Sequence, residues 1–258
     1  MQKWHSVRLG CVKYLNARPL IRGWRGQVTF DHPAALSDQL QRGDLQVALV
    51  SSFEFLRNPI YRIADGVSIS SDGPIYSVVV AHRGEISAVE EIELDPASLT
   101  SVALLRCLLG EIQLRPRLVT RSDSRTSNEG RAKLLIGDQA IRFREKHAKE
   151  FEFWDLGEQW KKSFDLPFVY ALWLVRPELG EAKAIGAQLR ALRDRNMRQI
   201  EDLIAEEENF GREFCYRYFL QHLRFNFGEQ EKKGLQTFGA LCAKHGLIPK
   251  RELALSLI

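Results

Sequence analysis

No stretch of the chain approaches the roughly 18 consecutive apolar residues that a membrane-spanning helix requires. The opening residues, Met1-Gln2-Lys3-Trp4-His5-Ser6, lack the basic start, apolar stretch and small-residue cleavage site of a secretory signal. They lead straight into a strand-like Val7-Arg8-Leu9-Gly10-Cys11-Val12. Export is therefore not expected, and the expected location is the cytoplasm. Cysteine is scarce: Cys11, Cys107, Cys215 and Cys242 stand far apart among apolar residues, with no C-x-x-C pair and no metal-ligand spacing to the six histidines. Buried, reduced thiols follow, rather than a disulfide framework or a zinc site. A phosphate loop, a dinucleotide fingerprint and a G-x-S-x-G nucleophile elbow are all missing. His32 and His82 fall near strand ends without a recognisable Ser, Cys or Asp partner in sequence, so a catalytic triad has no support.

What is present is an ordinary globular composition. The 258 residues are 45% hydrophobic and 27% charged, enough for one large domain or two lobes sharing a hinge. The net charge of +4 suits an anionic ligand without demanding one, because Lys and Arg are spread along the chain. The basic-aromatic stretch Phe214-Cys215-Tyr216-Arg217-Tyr218-Phe219 has the composition of a nucleic-acid surface. However, Phe214, Tyr218, Phe219 and Leu223 follow helical spacing with acids nearby, which is the pattern of an amphipathic core helix. No nucleic acid and no membrane is expected as a partner.

Hydrophobic periodicity gives an alternating order in the first third. Strands are expected over 7–12, 28–31 and 47–50, with helices over 17–24 and 33–42, the second stopped by Gly43. The apolar run at 47–50 fits a strand buried on both faces. Past the turn Ser71-Asp72-Gly73-Pro74, a long β-branched strand is expected over 75–81. A second series follows: strands at 92–94, 117–120 and 132–136, and helices at 100–109, ended by Gly110, and at 139–146. A second long apolar strand spans 166–175, and the chain is then expected to be helical to its end, most clearly over 182–207 and 211–227. Two long strands bracketing a small α/β insert predict two lobes joined by two hinge strands. One lobe would hold residues 1–80 and 173–258, the other 81–172. Ligands in such sheets sit beyond the carboxyl ends of the strands.

Five post-strand segments carry the candidate chemistry. Asn16 follows the first strand and offers one acceptor and two donors, although a cap before the next helix would use it equally well. Ser51 and Ser52 follow the third strand, where hydroxyls and free N–H groups can hold an anion. Gly73 permits close approach to the backbone, and Ser77 is a hydroxyl in an apolar run that needs a partner if buried. Ser98, Thr100 and Ser101 cluster at the start of the helix over 100–109. Three hydroxyls in four residues exceed what capping needs and suit a carboxylate. Asp138 sits where an N-cap belongs and could also accept a bond from a substrate hydroxyl. Together these describe a hydroxyl-lined anion cleft with no obvious strong catalytic group.

Read in order, Tyr14-Leu15-Asn16-x-x-Pro19-Leu20, Ser71-x-Gly73-Pro74-x-x-Ser77-Val78, Leu94-Asp95-x-x-Ser98-x-Thr100-Ser101 and Ile136-Gly137-Asp138 resemble the chorismate dehydratase family of futalosine-type menaquinone biosynthesis. Leu166-Pro167-Phe168-Val169-x-Ala171-x-Trp173 extends the likeness. The resemblance implies a periplasmic-binding-protein type II fold. It also implies a lyase reaction without metal or organic cofactor, in which chorismate, a dicarboxylate, loses water to give 3-[(1-carboxyvinyl)oxy]benzoate. It points to Asn16 and Ser77 as catalytic, and to Ser51, Ser52, Thr100 and Ser101 as substrate-binding; Tyr14, Gly73, Ser98 and Asp138 are expected to bind the substrate with them. The chain departs from the family pattern at Ser51, at Leu99 and over Ser163-Phe164-Asp165. Two other readings share the fold: a non-enzymatic binding protein for a small anion, as solute carrier or sensor, and a later enzyme of the pathway acting on cyclic dehypoxanthine futalosine.

Overall fold

In the computed structural model, which describes residues 7–95, 98–120 and 130–258, the chain opens with strand β1 (Leu9–Cys11). The N-terminal residues 1–6 read above lie outside that range. A 3-10 turn over Leu15–Ala17 runs into the short helix α1 (Arg18–Ile21), so the expected helix over 17–24 is only partly formed. Strand β2 (Val28–Phe30) and helix α2 (Pro33–Arg42) follow as the pattern predicts, with Pro33 in the first turn and Gly43 at φ 85° just past the end. Strand β3 (Val47–Ser51) is buried along its whole length. Helix α3 (Ser52–Arg57) leads from it to β4 (Arg62–Ser71).

These strands form the first sheet, in the order β2-β1-β3-β10-β4, where β10 is Phe168–Val175. β1 lies parallel to β2 and β3, while β10 runs antiparallel to both β3 and β4. Strand β10 crosses the 172/173 boundary read from the sequence and is paired with this sheet from Phe168 to Val175.

The second sheet has the order β7-β6-β8-β5-β9, built from β5 (Val78–His82), β6 (Glu91–Glu93), β7 (Arg117–Val119), β8 (Arg131–Ile136) and β9 (Glu152–Asp155). It carries helices α4 (Leu99–Glu111), α5 (Gly137–His147) and α6 (Leu156–Phe164). The chain passes from the first sheet to the second through residues 72–77 and returns through α6.

No strand is expected over the residues of β4, where Ser68, Ser70 and Ser71 interrupt the apolar pattern and Ser71 falls in the expected turn. All three are buried and satisfied. The Ser68 hydroxyl donates to the carbonyl of Asn226 at 2.6 Å, and Ser70 and Arg224 exchange backbone bonds of 3.0 and 2.8 Å. The same pairing shortens the helix expected over 211–227. Helix α9 (Arg212–Arg217) widens into a π-helical turn over Tyr218–His222 and stops, because residues 224–226 leave to serve the edge of β4. The helix expected over 182–207 is broken at Gln199 into α7 (Ala182–Arg198) and α8 (Ile200–Ala205). Helix α10 (Glu229–Lys244) is the last, and the tail beyond it returns to bridge Ile63 with Leu257. All four cysteines are free and buried. Among the described residues, no helix is long and apolar enough to cross a membrane.

Gly110 does not end α4 as expected. It lies inside the last turn, where a Cβ would stand 2.4 Å from the His245 ring. The neighbouring Glu111 accepts from Lys244 Nζ at 2.7 and 3.0 Å, and His245 Nε2 lies 2.6 Å from its Oε1, tying α4 to the end of α10. Hydrogen bonds from Lys244 and His245 hold the Glu111 carboxyl below its usual pKa of 4.5. A lowered folded-state pKa stabilises the fold above the unfolded value, and that contribution is lost as pH falls through the folded value. Glu111→Gln is expected to cost about 0.5 kcal/mol at pH 7, a figure discounted because Lys244 is exposed. Urea unfolding at descending pH should show the gap to wild type closing as pH falls from the ordinary carboxyl value of 4.5 through the lower folded value.

Candidate active site

The two sheets meet at a cleft beyond the carboxyl ends of β1 and β3. Tyr14 and Asn16 reach it from the loop after β1, Ser51 from the end of β3, and Ser98, Thr100 and Ser101 from the start of α4. Ser77 lines it from the segment just before β5, and Tyr170 from β10. Apolar side chains, among them Val12, Leu49, Ile69, Ile75 and Ile136, complete the wall. No charged side chain is among the described residues that line the cleft.

Thr100 is the hub of the α4 side. Its Oγ1 is hydrogen-bonded to the Ser51 hydroxyl, accepts the Phe53 N–H at 3.2 Å, and donates to the Tyr170 carbonyl at 3.1 Å. One threonine thus joins the first turn of α4 to α3 and to β10. Neither Ser51 nor Ser98 caps the helix it precedes, so the ordinary use of a serine at those positions does not account for them. The N-terminus of α4 presents N–H groups and the positive end of its dipole to the cleft.

Three of the sequence candidates stand outside the lining. The Ser52 hydroxyl donates to the carbonyl of Val169 at 2.7 Å, bracing β10 from behind. Gly73 lies in the crossing segment, where its carbonyl accepts the Ser71 hydroxyl at 3.0 Å. Asp138 is the second residue of α5 and accepts the Leu15 N–H at 2.9 Å, so it holds the Tyr14–Asn16 loop from the opposite side. Burial raises its pKa, partly offset by that backbone bond. Asp138 belongs instead to a neighbouring hollow that also contains Arg18 and Glu207. Burial, with Asp95 and Asp138 nearby, pushes the Tyr14 phenol up to about 12. Of the two histidines weighed earlier, His82 bonds the Gly84 carbonyl at 2.9 Å, and neither lines the cleft.

Sequence reasoning missed two residues that build the site. The first is Asp155, which caps α6. Its carboxylate accepts the N–H groups of Gly157 and Glu158 at 3.0 and 3.1 Å, and those of Ile75 and Tyr76 at 3.1 and 2.7 Å. Those last two bonds explain why the strand expected over 75–81 begins only at Val78. The N–H groups of residues 75 and 76 are spent on a side chain, and Tyr76 takes φ 68°, which no ladder accommodates. Burial raises the pKa of Asp155 against the pull of these donors.

The second is Tyr218, fully buried at the start of the π-helical turn. Its hydroxyl donates to Ser77 Oγ at 2.6 Å. Burial pushes the phenol well up, offset in part by hydrogen bonding with Ser77 and with the side chain of Asn16. The Asn16 amide oxygen is buried and has no hydrogen-bond partner among the described residues. Tyr218 reads as part of a core stripe, and it is in the core. The only available signal was that a buried tyrosine needs a partner for its hydroxyl.

Residues 7–244 match the family described as menaquinone biosynthesis. The chain belongs to that family. It is 30% identical over 255 residues to the chorismate dehydratase of Thermus thermophilus, covering 89% of this chain and 93% of that protein. Among solved structures it is similar to protein AF1704 from Archaeoglobus fulgidus, with a TM-score of 0.68 at 18% identity over 94% of this chain and 98% of the other. It is similar also to the periplasmic aliphatic sulphonate binding protein SsuA from Escherichia coli, with a TM-score of 0.61 at 13% identity over 95% and 94% of the two chains. At such identities the likeness concerns the fold alone, which is that of the periplasmic binding proteins, as the sequence resemblance implied.

Proposed function

We propose that this chain dehydrates chorismate to 3-[(1-carboxyvinyl)oxy]benzoate, with Asn16 and Ser77 as the catalytic pair. The observation that carries this reading is that one cleft is lined by two neutral sets. Asn16 and Ser77 form one, with Ser77 held by the Tyr218 hydroxyl, and the Thr100 and Ser101 hydroxyls at the N-terminus of α4 form the other. Membership of the menaquinone biosynthesis family and the likeness to a chorismate dehydratase support it.

The chemistry suits such a cleft. Loss of the ring hydroxyl and a neighbouring ring proton makes the ring aromatic, so the reaction is strongly downhill and needs geometry more than a strong base. A substrate carboxylate rests on the start of α4, where charge-assisted bonds of roughly 1.5–3 kcal/mol each would anchor it. Ser77 donates to the departing oxygen, Asn16 accepts from the same hydroxyl, and a substrate carboxylate takes the ring proton. The proton and the hydroxide leave together as water, and no external reactant is needed. In this reading the part of the chain that carries the second sheet closes on the part that carries the first and excludes bulk water.

Mixing purified protein with chorismate and following the acids by mass-resolved chromatography tests the proposal. A product one water lighter, absent with Asn16→Ala, is the expected result. Chorismate that binds in calorimetry yet stays intact would instead favour a binding protein for small anions.

A further inference from the structure

We propose that Tyr218 is a positioning residue that fixes the proton of the Ser77 hydroxyl toward the cleft. This rests on the dehydratase reading for its kinetic consequence, but the geometry stands by itself. A serine hydroxyl has one proton to give and two lone pairs to fill. Tyr218 donates to Ser77 Oγ at 2.6 Å, and both side chains are fully buried. With that lone pair occupied, the Ser77 proton cannot point back at Tyr218. The other face of Ser77 is the cleft.

Asn16 lines the same cleft. With its proton turned to the cleft, Ser77 offers a donor to the oxygen of a substrate hydroxyl.

The local backbone fits the assignment. Tyr218 opens a single π-helical turn, a feature concentrated at functional sites because the widened turn displaces a side chain from its α-helical position. The Leu223 N–H closes that turn on the Tyr218 carbonyl at 3.1 Å, and the chain then leaves for the edge of β4. The Tyr218 ring is held independently of its hydroxyl, stacked on Phe214 with centroids 5.4 Å apart at 18°. A phenylalanine can therefore take its place without loss of packing.

Tyr218→Phe should fold normally, lower kcat for chorismate about tenfold, and leave KM within about twofold. A packing role alone would not give that split. In a Ser77→Ala background the same substitution should cost nothing further, since the proton it directs is gone. A wild-type kcat in Tyr218→Phe, or full additivity with Ser77→Ala, overturns the proposal. If the wild-type protein leaves chorismate intact, the dehydratase reading fails by itself. Crystal structures of wild type and Tyr218→Phe then decide the Tyr218 proposal. A redistributed Ser77 rotamer upholds it, and an unchanged Ser77 side chain overturns it.

Discussion

Ser77→Ala is expected to lower turnover of chorismate by about 10²–10³-fold while its affinity stays within about threefold. The magnitude is that of removing one preorganised donor aimed at charge developing in the transition state. Ser77 is suited to that part because it is buried, its carbonyl is tied to the Gly137 N–H at 2.8 Å, and its oxygen already accepts from Tyr218 at 2.6 Å. Little reorganisation is needed when the leaving oxygen gains charge. Affinity should survive because a substrate carboxylate is assigned to the start of α4, away from Ser77 in sequence and in a different element. Asn16→Ala should behave alike, and the double variant should cost less than the product of the two, since both groups act on one departing hydroxyl. Steady-state kinetics paired with calorimetric titration reads the two quantities separately. Losses of equal size in kcat/KM and in affinity would show that Ser77 and Asn16 only bind.

Gly234→Ala should destabilise the fold by about 3 kcal/mol, although alanine in a helix interior is ordinarily favoured over glycine by about 1 kcal/mol. The sign is reversed by a single contact. Helix α10 approaches the start of β10 so closely that a Cβ on Gly234 would stand 2.1 Å from the carbonyl oxygen of Pro167. That carbonyl is backbone, and the next residues are paired on both sides, to β3 and to β4. It cannot step aside without disturbing the first sheet. The helix cannot retreat either, because Phe238 packs on Phe168 and Trp160 at centroid distances of 4.9 and 6.0 Å. Gly239→Ala, on the same helix, serves as a control. Its Cβ would meet only the side-chain ends of Leu56 and Leu253, at 3.2 and 3.4 Å, and these can shift. Thermal unfolding should place Gly234→Ala about 6–12 °C below wild type, with Gly239→Ala within a few degrees of it.

Both predictions depend on how chain segments distant in sequence meet, and that is where sequence reading reached its limit. Ser77 was legible as a buried hydroxyl in need of a partner, yet the partner lies 141 residues away in a stretch whose spacing describes only a core face. Ser52 carries the same side chain as Ser51 and follows the same strand, but faces the carbonyl of Val169 instead of the cleft. Polarity and position are equal for the two residues, and only β10 passing behind Ser52 separates them. Asp138 reads from sequence as a helix cap or as an acceptor for a substrate hydroxyl, and its carboxylate bonds the loop after β1, across 123 residues of sequence. Asp155 offered no signal beyond an acid before a helix, and it holds the two N–H groups that delay β5.

The sequence by itself determined the alternation of strands and helices from β1 to β3, the stop at Gly43, the cluster of hydroxyls at the start of α4 and the family. Each of these depends on period, on backbone permissiveness or on a run of neighbouring residues, and such properties are complete within a dozen positions. The tertiary structure alone decided that a serine-rich segment is strand β4, that α9 ends in a π-helical turn, and which hydroxyls face the cleft. Those outcomes turn on the satisfaction of buried polar groups. A buried N–H or hydroxyl must find a partner, and that partner can lie anywhere the fold brings within about 3 Å.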